Sequence, residues 1–363
     1  MCNACIPMLN DTQPADVFAD QLLNMLNQGA LSLMVSIGHR TGLFDSMAEL
    51  SYASSEKISS YAGLEQRYVK EWLAAMVTGG IVQYKPDDES YLLPKTYASL
   101  LTRAASPDNF AVYAQYTSIL GQVEDRIVNC FRVGGGVPYE HYPRFHQVMA
   151  EDSAQTVIAG LEEHILSLVV GLDLALEQGI SLLDIGCGRG KALLYLAEKY
   201  PNSDFTGFDF SATALSEARQ QAEKTGLSNV TFIERDLTDF NKQAEVNSFD
   251  CVTAFDAVHD QISPQNVLDG IYKTLKPSGT FLMQDIRASS KLEKNLDGPI
   301  APFLYTISTM HCMTVSLAND GAGLGTMWGE ELAVEMLQKA GFEKVDVNQL
   351  EHDFQNNFYV MTK

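Results

Sequence analysis

Leu183-Asp184-Ile185-Gly186-Cys187-Gly188-Arg189-Gly190 is the stretch on which the reading of this chain turns. An apolar run enters it, three glycines alternate through it, and a helical pattern opens behind it near Lys191. Glycines in such a strand-to-helix turn let the backbone approach a ligand without interference from a Cβ. The spacing is G-x-G-x-G, not the G-x-G-x-x-G of dinucleotide binders, which weakens the case for a nicotinamide reductase. Asp184 stands just ahead of the first glycine, where an acid suits a ligand amine better than a pyrophosphate.

Outward from this loop, short apolar runs alternate with helical segments. Strands are predicted at Ser181–Ile185, Asp204–Asp209, Val230–Glu234, Phe249–Phe255, Gly279–Gln284, Lys344–Gln349 and Phe358–Thr362. Strand–helix alternation means βαβ units and a parallel sheet. The last two runs are joined by Leu350–Asn357, too short for a crossover helix, so they are expected to be antiparallel. Ligands of such sheets bind at the carboxyl ends of the strands. Asp209 ends the second strand, about 20 residues past the glycine loop, where an acid can accept both hydroxyls of a ribose. Asp236-Leu237 ends the third, where a carboxylate can accept from an adenine amino group.

The N-terminal third has a different grammar. Apolar residues recur at helical spacing from Asp16 to about Arg40, with a break expected near Gly29. Helical runs follow at Ser54–Ala62 and Gln66–Thr78, the second stopped by Gly79-Gly80, and then two short apolar runs, Ile81–Tyr84 and Tyr91–Leu93. Helix, turn, helix and a small hairpin outline a winged helix. Such a module often reads DNA, but from Glu56 to Arg103 six bases are balanced by six acids, a poor surface for a polyanion. Dimerisation or capping of a substrate is the use expected of it. The domain partition is then a flexible tail over residues 1–14, a winged-helix domain over 15–104, a helical connector over 105–150 and a ligand-binding domain over 151–363.

In the connector, Asn109–Phe131 reads as one helix closed by Gly134-Gly135-Gly136. An aromatic stretch, Tyr139, His141, Tyr142, Phe145 and His146, leads into a helix expected to run past Leu161 to Leu176. It is either a packed connector or a lid. The uncharged segment around Pro302–Leu317, if helical, places Leu304, Ile307, Ser308, His311 and Val315 on one face, as a core helix or a pocket wall.

Composition sets the outer limits. The chain has 363 residues with 25 basic and 46 acidic side chains, a formal charge of −21, which discourages nucleic acid and anionic membrane as partners. Six scattered cysteines fit a reducing compartment rather than a disulfide framework, and Cys2-x-x-Cys5 is a lone pair in a frayed tail. The first residues lack the pattern of a secretory signal. Two uncharged stretches, Gln21–Gly38 and Gly298–Asn319, are too polar to span a bilayer and read as buried helices.

Together these residues resemble the class I S-adenosylmethionine-dependent methyltransferases. The resemblance covers roughly Ile180 to Lys363 and includes Leu275-Lys276-Pro277-Ser278-Gly279, where the family often has glycine in place of Ser278. With the winged helix, the whole chain looks like the two-domain methyltransferases, both plant-type small-molecule O-methyltransferases and bacterial winged-helix enzymes. The fold class implied is α/β, a seven-stranded Rossmann-like sheet, mostly parallel with an antiparallel last strand, behind an α-helical winged-helix domain.

The resemblance implies S-adenosylmethionine as cofactor, S-adenosylhomocysteine as product and a small-molecule acceptor, with oxygen as the expected acceptor atom. Asp184, Gly186, Cys187, Gly188 and Gly190 would hold the methionyl part, Asp209 the ribose, and Asp236 with Leu237 the adenine, with Phe210 and Phe255 also lining the cofactor site. His259 lies where plant-type O-methyltransferases carry a His-Asp pair whose histidine removes the acceptor's proton; a histidine there also serves as a packing or capping residue in relatives. Tyr142, His146, Asp256, His311 and Trp328 are the candidate acceptor pocket. Asp256 and Asp285 end the fourth and fifth strands, where metal-dependent catechol methyltransferases hold Mg²⁺. Ile286 departs from that pattern and no metal is expected. A cytoplasmic homodimer joined through the N-terminal domain is the expected assembly. The rival reading is a cofactor-sensing winged-helix transcriptional regulator.

Overall fold

The computed structural model describes residues 14–363, so Cys2, Cys5 and nearly all of the tail expected at 1–14 lie outside the described residues. The chain divides into two compact units between Gly121 and Gln122. The connector expected at 105–150 is therefore shared out, residues 105–121 belonging to the first unit and 122–150 to the second.

The first unit opens with a helix, Ala15–Thr41, that runs through Gly29 without a break. A lone glycine costs about 1 kcal/mol relative to alanine in a helix, too little to interrupt 27 residues of helical pattern. Burial is where expectation and structure part. Residues 21–30 are exposed, and Phe18, Leu22, Leu23, Met25 and Leu26 lie on the surface. The buried positions, Ser36, Gly38 and His39, fall in the last turns. At Gly38 a Cβ would stand 2.5 Å from the Trp72 ring, and the Trp72 indole donates to the Met34 carbonyl at 2.8 Å.

Helices Ser55–Ala62, capped by Ser54, and Gln66–Thr78 come next. A small antiparallel sheet of β1 (Ala53–Ser54), β2 (Gln83–Lys85) and β3 (Ser90–Leu92) in the order β1-β3-β2 completes the winged helix. Phe44, Ile58, Trp72, Leu73 and Met76 form its core. The helix predicted over Asn109–Phe131 is two helices, Ala114–Gly121 and Glu124–Val133. Val123 opens the second, its carbonyl accepting from Arg126 and Ile127.

The second unit is built on seven strands: β4 (Ser181–Ile185), β5 (Asp204–Asp209), β6 (Val230–Glu234), β7 (Phe249–Phe255), β8 (Leu275–Ile286), β9 (Asp346–Asn348) and β10 (Asn356–Thr362). Their order is β6-β5-β4-β7-β8-β10-β9, with β10 antiparallel to both neighbours and the other pairs parallel. Successive residues of β4 serve opposite faces, as strand pleating requires. Leu182 packs with Phe205, Leu193 and Leu196, and Leu183 with Val252, Phe281 and Leu337. The strand order reverses between β4 and β7, and the loops leaving those two strands flank the crevice where such sheets take ligands.

Two further helices depart from prediction. The run expected to continue to Leu176 is Phe145–Thr156, a set of irregular turns, and Leu172–Gln178. The irregular part begins where the His352 ring packs on Gly160, 2.2 Å from where a Cβ would be. The uncharged segment is helical at Ala301–Ile307 and Met313–Leu317, with a widened π turn at Ser308–Cys312 between them. Its predicted face, from Leu304 to Val315, is buried.

Gly270, in the helix Pro264–Thr274, lies against Phe240, whose ring carbon would be 2.3 Å from an added Cβ. Phe240 is itself buried and cannot swing away. Gly270→Ala is expected to destabilise this unit by about 1–3 kcal/mol, seen as a lower urea midpoint with an unchanged slope.

Candidate active site

The turn after β4 is held by the next strand. Gly186 N and Cys187 N both donate to the Phe208 carbonyl, at 2.8 and 3.1 Å, and Gly188 N donates to Asp209 Oδ2 at 2.8 Å. The other Asp209 oxygen accepts from Ser211 N at 2.8 Å. Asp209 thus shapes the glycine loop as well as facing the crevice, a second task that its position in the sequence did not reveal. Gly188 has φ +52° and open space where a Cβ would stand, whereas at Gly190 the Phe232 ring would lie 2.3 Å away. The first is open toward a ligand and the second is closed by packing.

Asp184 is buried, with Thr253 Oγ1 donating to its Oδ1 at 2.7 Å. Burial pushes its carboxyl up to about 7, the Thr253 bond opposing and the Asp209 charge adding to the rise. An ammonium brought to this carboxylate would remove the strain of burying a lone charge. Open space at Gly188, the buried acid at Asp184 and the Asp209 carboxylate fit S-adenosylmethionine's glycine-loop, amine and ribose contacts.

The fourth and fifth strands supply a second group. His259 is buried, and its Nδ1 lies 2.8 Å from Asp285 Oδ1. That oxygen also accepts from Ile286 N at 2.8 Å and from Trp328 Nε1 at 2.9 Å. Nε2 faces Asp260 Oδ1 at 3.3 Å. Burial pulls His259 down, but Asp285 and Asp260 outweigh it and hold the imidazole well above its ordinary range. The partner that orients His259 is therefore Asp285, 26 residues away in sequence, a pairing made by strand adjacency and invisible to local motif reading.

An aromatic cluster adjoins these groups. The His311 ring stacks on Phe145 with centroids 3.5 Å apart and planes 7° from parallel, and Tyr139 and Tyr142 meet it edge-on. Both His311 nitrogens are buried without a hydrogen-bond partner, and burial pushes its pKa down to about 4, so the ring is neutral. Tyr139, whose role the sequence did not signal, bonds His146 Nδ1 through its hydroxyl at 3.2 Å and rests edge-on against Phe210. Tyr142 is buried, and its hydroxyl donates to the Met310 carbonyl at 2.6 Å.

The other expected site residues have contacts of their own. Trp328 is buried, packs with the core and donates its indole N–H to Asp285 Oδ1 at 2.9 Å. Asp256 has φ +51° and accepts from the Gln284 amide at 2.8 Å, with burial and the Asp285 charge pushing its carboxyl well up. Asp236 is exposed and its Oδ1 turns back to Thr238 N and Oγ1, while Leu237 is a core residue. Phe210 is exposed, Phe255 is half-buried, and the half-buried Cys187 thiol is pushed far up by burial.

A glycine loop after the first strand of a β6-β5-β4-β7-β8-β10-β9 sheet, with acids at successive strand ends, defines a class I methyltransferase fold, here carrying an N-terminal winged helix. Residues 29–103 match the Rv2258c-like winged HTH domain, and residues 176–341 match the methyltransferase domain model. N-methyltransferase 4 of Papaver somniferum is 36% identical over 107 residues, 30% of this chain and 30% of that protein. The sterol 24-C-methyltransferase of Saccharomyces cerevisiae is 23% identical over 308 residues, 85% of this chain and 65% of that protein. The chain thus spans from about a third to just under two thirds of the length of these two relatives. The solved structure of human N-acetylserotonin methyltransferase in complex with S-adenosylmethionine matches 98% of this chain and 99% of that one, with a TM-score of 0.68 at 18% identity, a likeness of fold.

The raised Asp184 carboxyl gives cofactor binding a pH dependence. Below about pH 7 Asp184 gains a proton and loses its attraction for an ammonium. Calorimetry with S-adenosylhomocysteine should find Kd level above about pH 8 and rising about tenfold per unit below about pH 6. A flat profile from pH 5 to 8 would remove Asp184 as the amine's partner.

Proposed function

We propose that this chain is an S-adenosylmethionine-dependent methyltransferase that methylates a small molecule at a hydroxyl oxygen. The observation that carries this reading is His259, buried beside the methyltransferase sheet with Nδ1 fixed on Asp285 and Nε2 facing Asp260. When bound, the cofactor supplies an electrophilic methyl on a sulfonium. The chain's own tasks are to place the acceptor and to take its proton. Asp184 holds the amine end, Asp209 takes the ribose hydroxyls, and the turn at Gly188 leaves room for both.

Asp285 keeps imidazole Nδ1 protonated, so once His259 sheds the Nε2 proton that the flanking carboxylates favour, its Nε2 lone pair is the one left for the acceptor hydroxyl. The carboxylates of Asp285 and Asp260 then stabilise the imidazolium that forms. His311, with a donor and an acceptor both unspent, lines the acceptor pocket with Tyr139, His146 and Phe210. Its unpaired nitrogens favour an acceptor that carries polar groups beside the reacting hydroxyl. Asp236, Leu237 and Phe255 complete the adenine side.

The exposed apolar residues of Ala15–Thr41, foremost Phe18, Leu22 and Leu26, are the contact surface of a homodimer. No described helix is long and apolar enough to cross a membrane, and the four described cysteines are free thiols, as in the cytoplasm. The balanced charge of the winged helix leaves it a structural arm rather than a DNA reader.

A screen with methyl-labelled cofactor against phenols, carboxylates, amines and thiols tests the acceptor atom; transfer to nitrogen alone would overturn the oxygen assignment. On the acceptor so found, His259→Ala should lower turnover by ~10²–10⁴-fold while S-adenosylhomocysteine affinity stays within a few-fold. Asp209→Ala should do the reverse, losing most cofactor affinity. The double change Leu22→Glu, Leu26→Glu should convert a dimer into a monomer by light scattering, and a monomeric parent chain would discard the dimer.

A further inference from the structure

His259 on the loop after β7, its neighbour Asp260, and Cys312 in the π turn bring a nitrogen, an oxygen and a sulfur within 4.8 Å of one another. His259 and Cys312 are buried and Asp260 is partly open to solvent. The His259 Nδ1 is taken by Asp285, which leaves Nε2 for this group. Nε2 lies 3.3 Å from Asp260 Oδ1, yet that oxygen is buried with no hydrogen-bond partner.

The nitrogen–oxygen pair has the spacing of a metal site. Nitrogen and oxygen ligands about 2.0–2.1 Å from a tetrahedral zinc stand about 3.3 Å apart, which is the Nε2–Oδ1 separation. A metal-binding histidine characteristically gives its other ring nitrogen to a carboxylate, which fixes tautomer and ring plane. Asp285 does this here, itself braced by Trp328 and Ile286 N. The thiol decides the ion, because a sulfur ligand disfavours magnesium and calcium and favours zinc-like ions.

We propose that His259, Asp260 and Cys312 form a binding site for one thiophilic divalent cation of the zinc class, with Asp285 as positioning residue and a fourth coordination position open. Cys312 binds as the thiolate and His259 through deprotonated Nε2, both protons passing to solvent. The ion takes the Nε2 lone pair, so occupancy and acceptance of a substrate proton exclude each other, and the loaded enzyme does not transfer methyl. This inhibitory consequence rests on the proposed role of His259; the binding site does not.

The test uses the full-length protein, stripped with chelator and titrated with Co²⁺. A near-ultraviolet thiolate-to-cobalt charge-transfer band should saturate at one equivalent and be erased by Zn²⁺. Cys312→Ser should abolish the band with circular dichroism unchanged, and the double variant Cys2→Ser, Cys5→Ser should keep it. Asp285→Asn, which leaves all three ligands in place, should weaken Co²⁺ affinity by about 10–100-fold. No band from folded protein, a band that survives Cys312→Ser, or one that disappears with Cys2 and Cys5 would each overturn the site. Zn²⁺ should inhibit methyl transfer by the parent chain and spare Cys312→Ser. Binding without inhibition would leave the site standing and remove His259 as the base.

Discussion

One buried oxygen organises the reactive half of this molecule. Asp285 Oδ1 accepts from His259 Nδ1, Trp328 Nε1 and its own following amide, three donors converging on an atom with no exposure to solvent. A carboxylate in that position is tolerable because charge-assisted hydrogen bonds replace the water it has lost. The consequences run outward. The indole ties the start of the helix Gly329–Ala340 to the end of β8, and the imidazole ties the loop after β7 to the same point. Remove the carboxylate, and a buried imidazole and a buried indole lose their shared acceptor, so that position and packing would fail together.

The cofactor half obeys the same logic with a different outcome. Asp209 meets two backbone amides, so much of its charge is already spent on shaping the loop. Asp184 has a hydroxyl where a cation would serve better, and its carboxyl drifts up toward neutrality. An acid left under-compensated in a concave, backbone-lined site is a receptor for positive charge. The two acids, on neighbouring strands with Asp184 opposite Gly207 in register, differ in that one is spent on the loop and the other, on the proposed reading, is left for the ligand.

How much of the molecule is legible in its sequence depends on the range of the interactions involved. The glycine loop, four of the seven strands to the residue, and the winged helix rest on local periodicity and turn chemistry, which a single sequence displays. The departures lie where distant packing decides. The helix through Gly29 continues because one glycine is a weak breaker, and its exposed face shows that an uncharged stretch need not be buried within its own chain. Trp328 is aromatic and near a flexible glycine turn, which suggests a place beside the acceptor, but its indole proton finds Asp285 across the sheet. Asp236 stands just past the end of β6, yet Thr238, two residues on, captures its oxygen in a local turn. Position along a strand can be inferred from pattern, whereas the direction of a short polar side chain depends on whichever donor is nearest.

The π turn at Ser308–Cys312 shows how a small backbone irregularity connects these parts. A residue extra in one helical turn rotates the later turns relative to the earlier ones, and here the turn places His311 and Cys312 side by side on different business. His311 goes to the aromatic cluster, stacked on Phe145 with both nitrogens unspent, while Cys312 faces His259 and Asp260. Each unpaired ring nitrogen of a buried neutral histidine costs about 1–3 kcal/mol, a cost that pure packing would avoid by using phenylalanine or leucine. Polar groups brought to the two nitrogens from different sides of the ring would recover it. Such a site rejects analogues lacking those groups, since they leave the buried nitrogens unpaired. The proposed acceptor contact and the proposed metal ligand are thus adjacent residues of one distorted turn. A substitution that restored regular α-helix there would be felt in both.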